Sequence, residues 1–432
     1  MTDATEEMIT RLREDDLKHV FVEFADLNGI SRSKQVTAEY FLDSWESGFT
    51  MNLLLLVQTP RNAVPEGTGL GEEISYGDGL IHPIPETFEV LPWREDAARV
   101  LCEFEHDGQR VEAAPRATLG RVLARNDFDF ELYVGSELEL YLLKETDSGY
   151  RPFTDDKHEC VSWATEEVSP FYDLVTDWAS AYGISLQTLL HEHGAGQLEV
   201  LFDYGRPMEQ ADTTFDFKRL IKQAGRRLDL WPTFMAKPFG DRSGSGYHLH
   251  VSAFDGDENV FESGDGLSER GRHFVGGLLE HADALSALGT PNLNGFKRYE
   301  SGSFAPYTAS WGYDNRMVGV RVPSGVTRVE NRIASADANP YLVIAATLAA
   351  GLHGLREGIE PGEPIERDPA GERPRLPTHP EQALRALEED DDLIEILGSD
   401  VVRAYTAMKR REYESFENVV TDWEREQYVR TL

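Results

Sequence analysis

Cysteine, basic charge and long hydrophobic runs are all scarce in this chain of 432 residues. The two cysteines, Cys102 and Cys160, provide neither a disulfide framework nor a thiolate metal site. The longest apolar runs, 51–57 and 341–352, are too short to span a bilayer. The acidic, polar N-terminus is unlike a signal peptide. We therefore predict a folded protein of the reducing cytoplasm.

Basic residues are outnumbered, with 42 Lys and Arg against 77 Asp and Glu, which gives a formal net charge of −35. Nucleic acid and anionic membranes need a positive protein face, so the composition argues against both as partners. Acidic excess of this size keeps a protein soluble at the cost of self-repulsion, a balance found in halophiles. The composition therefore predicts a halophilic source.

One segment, 292–332, departs from this acidic background. Its basic side chains are Lys297, Arg298, Arg316, Arg321, Arg328 and Arg332, against the acids Glu300, Asp314 and Glu330. For any single arginine, pairing with surface carboxylates is the simpler explanation. Because the basic residues are interleaved with Gly, Pro and aromatics, and arginine captures carboxylate and phosphate in bidentate fashion, the segment favours a pocket for a polyanionic substrate.

Periodicity and turn signals predict mixed α and β structure throughout. Over the first hundred residues we expect a small mixed sheet, made from a helix at 5–13, a hairpin of strands 19–26 and 30–36, a helix at 39–47, a buried strand at 51–58, a loop at 60–87 and a strand at 97–105. Further on we expect helices at 115–126, 166–182, 208–230, 269–287 and 340–356, strands at 130–144, 186–191, 196–202 and 246–253, an exposed connection at 358–380 and a helical C-terminus.

Glutamates and histidines alternate in three short segments. Alternation places two side chains on the same face of a strand, so Glu137 pairs with Glu139, and His248 with His250. Two more glutamates, Glu192 and Glu199, flank a glycine loop, and Glu330 is a further candidate. For Glu137 and Glu139 alone, a solvated strand face is the better interpretation.

Taken together, five glutamates and a histidine suit two hard divalent ions such as Mg²⁺ or Mn²⁺. Divalent metals beside an arginine cluster are typical of phosphoryl transfer from ATP. The sequence contains no Walker-type GxxxxGK[ST] motif and no kinase-type glycine loop, so the nucleotide must be bound in another way.

The segments GSELELYLL, HEHGAGQLEV, GSGYHLHVS, NGFKRYESGSFAP, NRMVGVRVP and RVENRIASADANPYLVIAA resemble, in order and spacing, those of the glutamine synthetase family. The resemblance implies an α+β fold, with a small N-terminal β-grasp domain (1–108) and a larger catalytic α/β domain (109–432). It also implies a homo-oligomer, commonly a dodecamer of two hexameric rings, with active sites between subunits.

The resemblance also implies roles for single residues. It assigns one metal to Glu139, Glu192 and Glu199, and a second, nucleotide-side metal to Glu137, His248 and Glu330. The glutamate substrate is assigned to Glu139, Gly244, Arg298 and Arg332. The nucleotide is assigned to His250, Ser252, Arg316, Arg321 and Arg328. The implied reaction has two steps: glutamate and ATP form γ-glutamyl phosphate, and an unprotonated amine then displaces phosphate to form an amide.

Two acidic residues that ammonia-using relatives place around ammonium are missing. Phe304, in SGSFAP, occupies the position of the flap glutamate, and no DGSS motif occurs in the chain. Ser243 replaces the asparagine expected before Gly244. We count Phe304 with Arg298 and Arg316 as the predicted catalytic set.

An aromatic side chain at the flap favours an acceptor whose nitrogen is attached to carbon, which is an organic amine, over ammonium. The sequence thus predicts a glutamate–amine ligase for an organic amine or polyamine such as putrescine, and WGYDNR and RVENRIASADANPYL are similar to the γ-glutamyl-polyamine branch. Two alternatives stay open: a glutamine synthetase that uses ammonia through a relocated acid, and a catalytically silent structural or regulatory ring.

Overall fold

A computed structural model describes residues 3–264, 266–300 and 303–432. Two large β-sheets follow one another along the chain, and helices cover the second sheet and form the C-terminal part. None of the helices among these described residues is both long and apolar enough to cross a membrane.

The first sheet lies in the N-terminal quarter of the chain. Its elements are α1 (Asp3–Glu14), β1 (His19–Ala25), β2 (Ser31–Thr37), α2 (Ala38–Ser44), β3 (Phe49–Asn52), β4 (Asp78–Pro83), β5 (Glu89–Val90), β6 (Ala97–His106) and β7 (Gln109–Arg110). The strand order is β2-β1-β6-β4-β3, with β5 and β7 also paired to β6. β1 runs parallel to β6, whereas β1 and β2 form the expected antiparallel hairpin.

Two predictions in this region are wrong. The expected strand at 51–58 ends at Asn52, whose side chain accepts a hydrogen bond from the Leu54 backbone at 3.0 Å and so starts a 3-10 turn, Leu53–Leu56. The expected loop at 60–87 contains β4, which pairs with β3 and β6. The glycine and proline in this segment made it look like a loop in the sequence. Gly79 is nevertheless required in the strand, because a Cβ at this position would lie 2.6 Å from the Glu105 carbonyl oxygen.

The second sheet carries the conspicuous polar segments. The elements up to this sheet's end are α3 (Pro115–Ala124), β8 (Glu131–Thr146), β9 (Gly149–Pro152), α4 (Ser162–Glu167), α5 (Ser169–Ala181), β10 (Leu186–His191), β11 (Gln197–Phe202), α6 (Pro207–Arg227), β12 (Trp231–Thr233), β13 (Tyr247–Asp255), β14 (Glu258–Asn259), β15 (Glu262–Ser263), β16 (Gly266–Leu267), α7 (Glu269–Glu280), α8 (Ala282–Gly289), β17 (Trp311–Tyr313), β18 (Val320–Val322) and β19 (Val329–Asn331). The order is β10-β11-β8-β13-β19-β18-β17, with β9 and β12 paired to β8 and β14 to β13.

The C-terminal part is helical, as predicted. It comprises α9 (Pro340–Glu357), α10 (Pro380–Glu388), α11 (Asp391–Leu397), α12 (Ser399–Glu417) and α13 (Asp422–Tyr428). Two expected single helices are each divided: 166–182 breaks at Val168, before a helix that has Pro170 in its first turn, and 269–287 breaks at His281. The His281 ring bonds Asp390 Oδ2 at 2.7 Å and His353 Nδ1 at 2.8 Å, which fixes this junction against α9 and α11.

The two faces of β8 have opposite characters, which decides where the site lies. Leu138 and Leu140 are fully buried, and Ser136 Oγ lies 2.8 Å from Thr214 Oγ1 of α6, so this face packs under α6. Because side chains alternate along a strand, Glu137 and Glu139 project from the other face.

Candidate active site

A row of polar side chains crosses the centre of the second sheet. In the strand register, the facing pairs are Glu199 with Glu139, His248 with Glu137, His250 with Glu330, and Arg321 with Glu330. Residues facing each other on paired strands share one side of the sheet. The register thus collects on one face the residues that the sequence presents in four separate segments.

Glu137 is the hub of the first half of this row. His248 Nδ1 lies 2.5 Å from Glu137 Oε1, and His250 Nε2 lies 3.3 Å from Glu137 Oε2. Glu137, His250 and Glu330 each offer a ligand atom within 4.8 Å of the others. Carboxylate oxygens with an imidazole nitrogen fit a hard divalent cation, and His248 is placed to be an alternative or additional ligand.

The electrostatics of this half keep its carboxylates charged. Burial opposes ionisation of Glu137, but the charge of His248 and hydrogen bonds from both histidines hold the pKa of Glu137 well below its usual value. Burial likewise opposes ionisation of Glu330, and the charge of Arg332 lowers its pKa. Both side chains are therefore held in the anionic form, which is the form that binds a metal ion.

The second half of the row holds Glu139, Glu192 and Glu199, whose charges act on one another. Their ligand atoms are not drawn together as closely as those of Glu137, His250 and Glu330, the one group within 4.8 Å among the described residues. Burial, followed by the negative charges of Glu137, Glu139 and Glu192, raises the pKa of Glu199 to about 10. Burial and then the charge of Glu139 also raise the pKa of Glu192. A divalent cation would relieve the mutual repulsion of these carboxylates, but Glu139, Glu192 and Glu199 would have to move closer together to share one ion.

The glycine loop between β10 and β11 orients these acids. Gly196 has φ of +76°, a conformation open to glycine, and it brings Gln197 back toward the sheet. Gln197 Nε2 donates to Glu139 Oε2 at 3.0 Å and to the Gly244 carbonyl at 3.0 Å. Gln197 is a site residue that sequence reasoning missed, although its position in the glycine loop was visible.

Three arginines next to the row have hydrogen-bond donors that are not used within the described residues. Arg332 Nη1 donates to Glu330 Oε1 at 2.5 Å, and Arg321 Nη1 donates to Glu330 Oε2 at 3.1 Å. Arg298 is 2% exposed, and its Nη1 donates to the Ile333 carbonyl at 3.5 Å. Within the part of the chain that the structure describes, the buried Nε atoms of Arg298, Arg321 and Arg332 have no hydrogen-bond partner. Buried unpaired donors are costly, so these three fit an anionic ligand.

The other predicted nucleotide-side residues are less tightly grouped. Arg328 Nε lies 3.2 Å from His250 Nδ1, which ties it to the row. Ser252 follows His250 on the same face of β13, opposite Tyr133 of β8. Arg316 lies on the exposed loop between β17 and β18, and it forms no ion pair with any described residue.

Gly244 is required by close packing rather than by backbone angle. A Cβ at this position would lie 2.5 Å from Arg298 Cγ and 2.9 Å from the Ala236 carbonyl oxygen. The glycine therefore lets the backbone of this cavity-lining segment approach Arg298 closely.

A cavity of about 410 Å³ opens above the acid cluster. Its lining joins the predicted residues to others, and includes Glu139, Glu192, His193, Gln197, Lys237, Asp241, Arg242, Gly244, His248, Arg298, Glu300, Phe304 and Arg332. Phe304 is 62% exposed at its edge. Of the flap motif, Ser301 and Gly302 lie outside the described residues.

Comparison with known proteins identifies the family of this chain. Residues 112–428 match the family described as glutamine synthetase, catalytic domain. The glutamine synthetase of Thermotoga maritima is 33% identical over 449 residues, covering 98% of this chain and 99% of the relative. The γ-glutamylethanolamide synthetase GlnA4 of Streptomyces coelicolor is 32% identical, covering 98% of this chain and 94% of the relative.

The fold has solved counterparts as well. A chain of a GmaS/ADP complex superposes with a TM-score of 0.89 at 30% identity, and covers 99% of this chain and 100% of that one. The sequence match and the structural likeness both extend over nearly the whole chain. The chain therefore belongs to the glutamine synthetase family, whose members are ATP-dependent ligases.

Proposed function

We propose that this protein joins the γ-carboxylate of glutamate to an organic amine, with ATP as the energy source. The observation that carries the proposal is Phe304, an aromatic side chain at the edge of the cavity that holds Glu139, Glu192 and Arg332. An aromatic wall favours a carbon-bearing acceptor over a small hydrated cation. The likeness to a protein named γ-glutamylethanolamide synthetase supports an organic acceptor.

The arginines would bind and orient the two anionic substrates. Arg298 and Arg332 would hold the glutamate carboxylates, with Gly244 beside them, and Arg321, Arg328 and Arg316 would neutralise the ATP phosphates, near His250 and Ser252. Held this way, the γ-carboxylate attacks the γ-phosphate of ATP, which gives γ-glutamyl phosphate and ADP. The amine nitrogen, having lost a proton, then displaces phosphate and forms the amide.

Two Mg²⁺ or Mn²⁺ ions fit the carboxylate row. Glu137, Glu330 and the histidine pair would hold one, and Glu139, Glu192 and Glu199 the other. Such ions supply charge neutralisation on phosphoryl oxygens during transfer. The close grouping of Glu137, His250 and Glu330, the repulsion among the carboxylates around Glu199 and the unpaired arginine donors support this assignment.

The assembly belongs to the same proposal. Residues 1–108 would form a β-grasp-type domain and 109–432 the catalytic domain, in a dodecamer of two hexameric rings with active sites between subunits. The protein would work in the cytoplasm of a halophile, and the acceptor would be a polyamine such as putrescine.

A glutamine synthetase that uses ammonia is the second candidate. Asp241 and Glu300 line the same cavity as Phe304, so either carboxylate is placed to replace the missing flap acid. Relatives named glutamine synthetase also match over nearly the whole chain. A silent structural member is disfavoured because all six candidate metal ligands are kept.

Phosphate release from ATP tests the proposal. The assay contains glutamate, Mg²⁺ or Mn²⁺ and concentrated salt, with ammonium, ethanolamine, putrescine, spermidine or a monoamine as acceptor. We expect turnover with an organic amine and little with ammonium, and Phe304→Glu should shift the preference toward ammonium. Turnover that is best with ammonium in the unmodified protein would overturn the proposal.

A further inference from the structure

An aromatic pair closes one side of the cavity. The rings of His193 and Phe304 meet edge to face, with centroids 6.3 Å apart and an interplanar angle of 77°. Both residues line the cavity. His193 directly follows Glu192, and its backbone N–H donates to Glu192 Oε2 at 2.8 Å. The pair therefore forms a wall that begins at the acid cluster and leads outward.

A carboxylate stands behind this wall. Glu159 Oε2 lies 3.0 Å from His193 Nδ1, and the Glu159 side chain is 58% exposed. The contact is long-range in sequence and joins the segment before α4 to the loop between β10 and β11. Glu159 keeps open lone pairs toward solvent, because a carboxylate accepts more than the one bond that His193 provides.

The loop around Glu159 is acidic as a whole. Asp155 and Asp156 are 70% and 76% exposed, and Lys157 and His158 separate them from Glu159. Asp155 lies 3.9 Å from Arg151, and Asp156 lies 3.5 Å from His158. Asp155 also lies 3.8 Å from Arg242, which lines the cavity. Glu159 thus stands out in this loop as an exposed carboxylate that pairs with no lysine or arginine among the described residues, and its charge can attract a cation.

The direction of the acceptor follows from the reaction. The attacking nitrogen must reach the γ-carbonyl carbon, which under the proposed function would lie beside the acid cluster and Arg332. Any carbon chain on that nitrogen then extends along the His193–Phe304 wall, where apolar contact with the rings is favourable. A second amino group at the far end of a short chain would then lie near Glu159, which is 3.0 Å from His193 of this wall.

We propose that Glu159, held in place by His193, is a specificity residue that binds the distal ammonium of a diamine or polyamine acceptor. This inference rests on the proposed glutamate–amine ligase function. Glu159 takes no part in the bond-forming steps, and it selects among amines by its charge alone.

Putrescine and butylamine provide the test, because they share a four-carbon chain and differ in the second ammonium. For Glu159→Gln, we expect kcat/KM with putrescine to fall roughly fivefold, the size expected of a partly exposed ion pair. The value with butylamine and the KM values for glutamate and ATP should stay unchanged. Glu159→Asp should restore part of the preference for putrescine.

Glu166→Gln is the matched control, because it removes the same charge from an exposed position on α4. This variant should change kcat/KM for neither putrescine nor butylamine. Added salt should lower kcat/KM with putrescine more for the unmodified protein than for the Glu159→Gln variant, because salt screens exposed ion pairs.

The two levels of the proposal fail in different ways. Equal losses with putrescine and butylamine, or no loss with either, would overturn the role of Glu159 while leaving the ligase function intact. An unmodified protein that turns over only with ammonium would overturn the ligase function and the role of Glu159 together.

Discussion

Glu330 supplies the sharpest stability prediction, because one carboxylate serves two arginines. It is 1% exposed and accepts from Arg332 at 2.5 Å and from Arg321 at 3.1 Å. Glu330→Gln removes the anion that the buried Arg332 pairs with, and leaves Arg321 its longer pair with Asp314 Oδ1 at 3.5 Å. Removing one member of a buried ion pair costs about 3–5 kcal/mol, and glutamine keeps the shape and one acceptor, so we expect about 3 kcal/mol.

The assay is denaturant unfolding at fixed protein concentration, followed by tryptophan fluorescence in EDTA so that metal binding does not contribute. The matched control is Glu131→Gln, which breaks a Glu–Arg pair with Arg206 at the start of β8. Both partners are exposed there, with 57% and 42% of their side-chain surface accessible, so the midpoint should not move. Equal shifts for the two variants would refute the reasoning that burial makes the Glu330 pairs costly to break.

Three further predictions follow from single features. Gly244→Ala should raise KM for glutamate at least about tenfold and leave ATP binding intact, because its Cβ would displace Arg298; unchanged glutamate kinetics would contradict this. Burial lowers the pKa of Lys218 from 10.5 to about 7. The unfolded chain therefore binds more protons between these values, and stability should rise with pH above 7 by at most about 1.4 kcal/mol per unit, a slope that Lys218→Met should flatten in urea titrations. With a net charge of −35, the thermal midpoint should rise with molar KCl, and a midpoint independent of salt would exclude a halophilic adaptation.

The sequence could predict which of the site's side chains share one face of a strand, because they occupy alternating positions. Glu137 with Glu139, and His248 with His250, share strand faces because the side-chain period of a strand is two. Their mutual distances could not be predicted, since these depend on the register between strands far apart in the chain. Only the pairing of β13 with both β8 and β19 brings Glu137, His250 and Glu330 together.

The missed features have a common cause, which is that they depend on tertiary contacts. The sequence of β4 looks like that of a loop because it contains a glycine. This glycine is required by the close approach of the neighbouring strand and not by a turn. His193 and Glu159 are 34 residues apart and carry no local pattern, so their contact is visible only once β10 and α4 are packed. Helix breaks at Val168 and His281 likewise follow from what the junction residues touch.

The most direct test of the account is a competition between acceptors. The protein is given glutamate, ATP and equal concentrations of ammonium and putrescine, and the products are separated by mass. We expect γ-glutamylputrescine to exceed glutamine. A product mixture dominated by glutamine would contradict it, and would assign the cavity beside Phe304 to ammonia.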